Sequence, residues 1–413
     1  MGRLLNAAPG MLALSLGLLL AAPRICRGGE FDLSLDLRAI SSDASATRLG
    51  GGLGKLRYDG NHEGLRFGYL RLGYRGDITP TLRFAAEAVS YGDHDVNPID
   101  LTEMYLDWRP IPASAWRSRV KLGAFYPEIS LENRMRGWRS PYTLSFSAIN
   151  TWVGEELRTI GAEYSLDWLG LAHGHNFEFS SSVAAFGWND PAGTVIGGRG
   201  WALHDRQSTL FGRFANRGQP LPELTVFYDD LDKRAGYTIS SSFRYRGLIE
   251  LRGLHYDNRA RLGIEAPRIN DGTWETYFDS LGARWTPSAS WTLIAQWLRG
   301  RTLEGAPQPA NAWTFDSHFL LASNKRGRWR YTARYDKFFV QQTESDFAQY
   351  IGGIYLNERG HAWTLAAQRS FGEHWNATAE AIEIRSDVEL RALLGEPSAA
   401  AERQVQLALR YER

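Results

Sequence analysis

Hydrophobic and polar positions alternate with a period of two along most of this chain. The clearest case runs from Thr102 to Arg109, where Thr102, Met104, Leu106 and Trp108 alternate with Glu103, Tyr105, Asp107 and Arg109. After a short turn containing Pro110 and Pro112 the pattern resumes. Val120, Leu122, Ala124 and Tyr126 now stand against Arg119, Lys121, Gly123 and Phe125. A side-chain period of two marks a β-strand, and two strands joined by a short Pro-containing turn make a hairpin. Beyond Pro127 the alternation stops until about Trp152, in a stretch carrying Glu132, Arg134, Arg136, Arg139 and several aromatics. A short turn at one end and a long polar excursion at the other is the repeating unit of a membrane β-barrel. Residues 128–152 are therefore expected to fold inward as a constriction loop.

The same rhythm fills the rest of the chain. Hairpins are expected over 64–91, 160–183, 237–256, 277–297, 313–335 and 362–384, with turns such as Arg246-Gly247, Thr286-Pro287-Ser288 and Gly372-Glu373-His374. Outer strands lie around 31–37 and 405–411, and two further short ones around 210–214 and 224–228. The Ser/Gly-rich stretch before Gly64 and the Gly-rich one at 189–200 are expected as external loops, and 340–360 as a structured loop. The expected fold is all-β, a transmembrane antiparallel barrel of about 18 strands with 16 as the alternative, its connections alternately short and long. Closure is a physical requirement, since in lipid every backbone N–H and C=O must be paired and a sheet can keep no open edge.

Composition narrows the picture. Mean hydropathy is −0.35, which leaves no room for a bundle of membrane helices. The only sustained apolar run, Met11 to Ala22, is too short to span a bilayer and follows Arg3. It predicts a cleaved signal peptide over 1–28 ahead of a barrel domain over 29–413. Cys26, the only cysteine, is preceded by Arg24 and Ile25, which argues against lipidation. A formal net charge of +1 carries no basic excess for nucleic acid. Lys55, Lys121, Lys233, Lys325 and Lys337 are the only lysines among 47 basic residues. That arginine bias reflects either genomic base composition or a lumen lined by guanidinium forks. The 15 Trp, 18 Tyr and 19 Phe suit belts at two membrane interfaces.

The polar half of the alternation nominates the lumen wall: Arg66, Arg71, Arg83, Glu103, Asp107, Arg109, Arg119 and Lys121. With Glu132, Arg134, Arg136 and Arg139 on the loop, opposed rows of charge would set a transverse field across a constriction. The same residues could instead be mutually neutralising pairs that hold the wall together. No histidine lies in a nucleophile motif, and His173-x-His175 sits in an expected short turn without a carboxylate cluster. No catalytic residue, metal or cofactor is expected. Two other readings stay open, a soluble secreted all-β glycan-binding protein and an outer-membrane barrel hydrolase. Against the first stand the alternating loop lengths and the lack of a blade-length repeat.

Glu103-x-Tyr105-Leu106-Asp107-x-Arg109, then Val120-x-Leu122-Gly123-x-Phe125-x-Pro127 and Leu131-Glu132-Asn133, resembles bacterial outer-membrane porins. Within them the phosphate-selective (O/P-type) group is the most similar. The resemblance implies a second strand feeding an inward-folded loop, and passive passage of small hydrophilic solutes, anions among them. It also implies a homotrimer set in outer-membrane lipid. The near absence of lysine departs from that group, whose lumen carries lysine clusters.

Overall fold

The computed structural model describes residues 27–47, 52–93, 98–212, 214–215, 224–225, 228–265, 272–305, 311–345, 353 and 355–413. The leader expected over 1–28 lies almost wholly outside these residues. Seven strands come first: β1 (Arg27–Ser42), β2 (Gly64–Thr79), β3 (Leu82–Tyr91), β4 (Asp100–Trp108), β5 (Trp116–Phe125), β6 (Thr159–Trp168) and β7 (Phe177–Gly187). A two-residue pair follows, β8 (Phe214–Ala215) with β9 (Leu224–Thr225). Then come β10 (Gly236–Tyr245), β11 (Ile249–Asp257), β12 (Trp274–Trp285), β13 (Trp291–Glu304) and β14 (Asn311–Arg326). The last four are β15 (Trp329–Ser345), β16 (Glu358–Phe371), β17 (Trp375–Val388) and β18 (Ala399–Glu412). Two helices, α1 (Ala148–Glu156) and α2 (Thr194–Arg199), lie in the long connections.

All strands but β8 and β9 form one closed antiparallel sheet, β1 to β7 and β10 to β18 in sequence order, with β18 pairing back onto β1. The barrel thus has sixteen strands, the smaller of the two expected counts. The stretches around 210–214 and 224–228 make only the β8–β9 pair and do not enter the wall. The two ends of 340–360 are wall rather than loop, since β15 runs to Ser345 and β16 begins at Glu358. At the seam Leu33 and Arg413 exchange backbone hydrogen bonds of 2.8 and 2.9 Å. The final strand therefore closes the sheet although it ends on arginine.

Side-chain polarity is inside-out. On β1, Ser34, Asp36 and Arg38 are buried in the lumen while Leu37 is exposed. On β18, Gln404, Gln406 and Arg410 are buried while Val405, Leu407 and Leu409 stand out at 44–57% exposure. Outward aromatics crowd the short-turn ends of the strands: Trp108, Trp116, Phe177, Tyr245, Trp285, Trp291, Trp329, Phe371 and Trp375. A second set, Tyr277, Trp297, Tyr335 and Trp363, faces out nearer the long loops. Two aromatic belts around an apolar band are what a barrel wall in lipid requires. Such a surface does not suit a soluble protein.

One strand turns this polarity round. Trp313, Phe315, Phe319 and Leu321 of β14 are buried in the lumen, while Thr314, Asp316 and His318 face out. The cause is what fills the lumen beside them. All nine residues of α1 are buried, and its Trp152 packs edge-on against Phe315, Phe278 and Trp201 at 5.0, 5.4 and 5.8 Å between ring centroids. Ser147 caps the helix by accepting from the Asn150 N–H at 3.3 Å, as a serine N-cap does.

The stretch 189–200, expected as an external loop, also lies inside. Its glycines serve close approach rather than flexibility. A Cβ on Gly193 would run into the hydroxyls of Thr276 and Thr302, and one on Gly197 into the Trp274 ring. From the connection before β2, Lys55 and Arg57 are buried against the same filling. Lys55 pairs with Glu358 at 2.7 Å, and Arg57 with Asp205 at 2.9 Å and Asp93 at 2.8 Å.

Candidate pore and constriction loop

The inward loop starts where β5 ends. Gly123 has φ +131°, a conformation that suits glycine, and a Cβ there would clash with the Met104 carbonyl. Strand and loop can therefore sit against β4 without a side chain between them. From Tyr126 to Arg158 the chain crosses the lumen and is tied to the wall on every side. Arg134 reaches Glu250 on β11 at 2.5 Å. Arg136 reaches Glu30 and Asp32 on β1 at 2.9 and 3.1 Å. Arg139 donates to Ser34 at 3.1 Å, Tyr69 at 3.2 Å and Glu412 at 2.5 Å.

Further along, Glu132 pairs with Arg334 of β15 at 2.8 Å. Glu380 of β17 accepts the Leu144 and Ser145 N–H groups at 2.5 and 3.1 Å. Asp336 of β15 takes the Ala148 N–H at 3.0 Å. Buried charges here are paired and hydrogen-bonded, as burial in a low dielectric demands.

The lumen divides into two halves. Toward the long loops, inward side chains are buried on strand after strand, among them Arg38, Val89, Phe125, Phe186, Tyr256, Leu298, Phe338, Ile384 and Gln404. Toward the short turns a cavity of about 320 Å³ remains, lined by Arg75, Glu103, Tyr105, Arg119, Lys121, Glu128, Asn133, Arg134, Arg244 and Arg252. Lys121 bridges Glu128 at 3.0 Å and Glu163 at 3.1 Å. Lys121, and after it Arg252, hold the Glu128 carboxyl well below the usual carboxylate range. Asn133 is buried at the cavity with neither amide atom hydrogen-bonded. On the β12–β15 wall, Arg284 and Arg330 have no carboxylate partner among the described residues. Arg330 donates to Ser323 at 3.2 Å and lies over the Tyr142 ring at 5.2 Å.

The residues expected to line the lumen thus fall into separate groups. Glu103, Arg119, Lys121 and Arg134 meet around the cavity. Asp107, clasped by Arg119 at 2.6 and 3.0 Å and by Arg109 at 2.8 Å, stands beside them. Arg83 pairs with Asp77 at the short-turn end, 2.7 Å apart. Arg71 donates to Gln207 at 2.8 Å and is buried with Glu132 and Arg139 inside the filling. Arg66 bonds the carbonyls of Asn61 and His62 near the long-loop rim.

Sequence reasoning missed Arg244, Glu250, Arg252, Arg284, Arg330 and Arg334. All sit on the polar half of their strands, so the period-two pattern held the signal. The group of metal-ligating type among the described residues is Asp190, Asp230 and Asp232. Asp190 spends its carboxylate on the Leu231 and Asp232 N–H groups at 2.5 and 3.0 Å. Burial, with Asp232 and Asp230 adding repulsion, pushes it up to about 6.

No protein-family profile and no curated protein matches the chain. Solved structures do. The outer membrane channel DcaP of Acinetobacter baumannii superposes with a TM-score of 0.51 at 12% identity, covering 93% of this chain and 97% of its own. OmpF of Salmonella typhi, solved in complex with daunomycin, gives 0.52 at 12% identity over 93% and 97%. An anion-selective porin from Comamonas acidovorans gives 0.50 at 11% identity over 94% and 99%. At these identities the likeness is one of architecture: this chain has the fold of the outer-membrane porins.

Proposed function

We propose that the protein is an outer-membrane porin that passes small hydrophilic solutes and favours anions. One observation carries the preference: Arg284 and Arg330, on the inward face of β12 and β15, have no carboxylate partner among the described residues, whereas Arg119, Lys121, Arg134, Arg244 and Arg252 at the short-turn cavity are paired with acids. Charge focused in a low-dielectric cleft raises the local concentration of the opposite ion. The loop from Tyr126 to Arg158 is the constriction, and conduction past it requires the packed long-loop half to loosen. The phosphate-selective reading rests on residues 103–133 alone. Guanidinium forks accept carboxylate and phosphate alike, so the solute class is small anions in general. A signal peptide over 1–28 delivers the chain to the outer membrane, and a homotrimer, which native mass measurement tests, follows from the resemblance.

The test is planar-bilayer conductance of the refolded protein with reversal potentials in a KCl gradient. Ohmic steps with an anion-favouring potential are expected. Cation preference overturns the selectivity, and silence from a heat-modifiable folded barrel overturns the porin.

A further inference from the structure

The connection that leaves β7 turns into the barrel instead of away from it. Of residues 189–207 all but Gly198 are buried, and the segment meets the inner wall strand after strand. Asn189 accepts from the Tyr256 hydroxyl on β11, and the Ala192 carbonyl from the Thr276 hydroxyl on β12 at 2.5 Å. The Trp201 N–H donates to Glu358 of β16 at 2.8 Å, and its indole to the Phe339 carbonyl of β15 at 2.9 Å. Asp205 accepts from Arg38 of β1, and Gln207 from Arg71 of β2 at 2.8 Å. The Gln207 N–H donates to the Tyr91 hydroxyl of β3 at 3.0 Å, and the Leu210 N–H to the Leu101 carbonyl of β4 at 2.9 Å. Residues 189–210 thus form a hoop inside the long-loop half of the lumen, running from β11 past the seam to β4.

Helix α1 stands within this hoop and is bonded to it along its length. The Asn189 amide donates to the Glu156 carbonyl at 2.8 Å, and the Glu156 carboxylate accepts the Gly193 and Val195 N–H groups at 3.3 and 2.7 Å. Further round, the Thr151 hydroxyl donates to the His204 carbonyl at 2.9 Å. The Glu155 carboxylate meets the His204 Nε2 at 3.0 Å, and the Ser208 N–H donates to the Gly154 carbonyl at 3.1 Å.

Glu155 and Glu156 are the last two residues of α1, and both are buried. Two carboxylates at a helix C-terminus oppose its dipole. Buried charge also needs partners, and here the hoop supplies partners to both. The strands that the hoop does not reach, β5 to β7 and β10, include the two that carry the loop of α1. Wall, hoop and helix meet through buried rings, with Trp201 at 6.2 Å from Phe315 and 5.8 Å from Trp152. A solute crossing the long-loop half must therefore displace this body.

We infer that α1 and the hoop are one plug that shuts the lumen at rest, with Glu155 and Glu156 as the latch between them. The channel opens when the hoop parts from α1, which joins the short-turn cavity to the outside. The inference rests on the porin reading above and adds to it a closed resting state.

Planar-bilayer recording of the refolded mature chain tests it, once heat-modifiable gel mobility shows each variant to be folded. The wild-type barrel should be shut most of the time and open briefly. Glu155→Gln with Glu156→Gln removes both latch charges and keeps the acceptors. It should raise the open fraction about tenfold at an unchanged open-level conductance. A cross-link gives the opposite effect. A Cβ on Gly154 would stand 3.5 Å from the Gln207 Cγ, within reach of a disulfide. Gly154→Cys with Gln207→Cys should be silent when oxidised and open again in dithiothreitol. A continuously open wild type, a double Gln variant that gates as wild type, or an oxidised cross-link that conducts like the reduced form overturns the inference. Hydrogen exchange reads the same body without current. Amides of α1 and of the hoop should exchange at one rate, about tenfold faster in the double Gln variant. Separate rates overturn the inference even if every form is silent. Silence with a shared, latch-dependent rate supports the plug and counts against the porin reading.

Discussion

Glu132 on the inward loop and Arg334 on β15 meet at 2.8 Å with neither side chain open to solvent. Arg334 also donates to Asp336 at 2.8 Å and to the Ser145 and Phe146 carbonyls, each at 2.8 Å. Glu132 also accepts from the Ser147 N–H at 3.1 Å and the Asn150 amide at 2.9 Å. The loop hangs on this pair. Glu132→Ala should cost about 2–3 kcal/mol, because a buried guanidinium loses one of its two carboxylates and the Ser147 N–H and Asn150 amide lose their acceptor. The folded band on a heat-modifiability gel should then collapse at lower temperature, and bilayer steps should grow as the loop comes free. Glu132→Met with Arg334→Met should recover most of the stability, since apolar replacements leave no buried charge. An unchanged melting profile for Glu132→Ala would show that the loop is held elsewhere.

Trp152 is the second fixing point, 1% exposed and ringed by Trp201, Phe278 and Phe315. Trp152→Ala leaves a cavity that the rigid barrel wall cannot collapse to fill. The expected loss is about 3–5 kcal/mol, read as a lower unfolding midpoint in urea from detergent or vesicles. Trp297→Ala on the outer belt removes the same ring from a lipid-facing site and should cost less.

The wall was legible in the sequence because lipid outside and a polar lumen inside force a period of two on nearly every strand. The loop after Tyr126 was legible for the same reason, as the place where that period stops. What fills the lumen was not legible. Trp313, Phe315, Phe319 and Leu321 share one face of their strand as Val405, Leu407 and Leu409 do, yet they face the other way. Period alone does not say which face is lipid once part of the lumen is itself apolar. Gly193 and Gly197 read as a loop for the same lack of context, since close approach and flexibility both ask for glycine. Pairings such as Arg38 with Asp205, or Arg57 with Asp93, join residues far apart in the chain. No local pattern encodes them.

Acidity should stabilise the fold through Asp190. Burial raises this carboxyl to about 6, above its unfolded value near 3.8. A raised folded value means that the ionised form is the disfavoured one. Stability from this group is therefore least at neutral pH and grows as pH falls from about 7 to 4. The unfolding midpoint in urea should rise over that window, by an amount on the order of 1–2 kcal/mol. Asp190→Asn should flatten the dependence. The opposite sign holds for Asp93, kept at about 2 because Arg57 and Arg206 outweigh its burial. That contribution is lost only as pH falls below 4.

Selectivity should depend on which arginines lack a partner rather than on how many line the lumen. Arg134 is neutralised by Glu250 at 2.5 Å, Arg119 by Asp107 at 2.6 Å, and Arg244 by Glu178 at 2.7 Å. A paired charge contributes little field beyond its own neighbourhood. Arg284 and Arg330 are different. The Arg284 Nε is buried without a hydrogen bond, and Arg330 stands close enough to be repelled by it. Two like charges held together without an acid are stabilised by a passing anion, which the paired arginines do not need. Arg284→Gln with Arg330→Gln should lower the anion-to-cation permeability ratio about two- to fivefold per charge, by ~0.5–1 kcal/mol each. The reversal potential should move toward zero, and Arg284→Glu with Arg330→Glu should carry it past zero to cation preference. Arg134→Gln leaves Glu250 still paired with Arg252 at 3.0 Å and should shift the potential less than either. Equal shifts from paired and unpaired arginines would mean that bulk lumen charge sets the preference, and would remove Arg284 and Arg330 from the path.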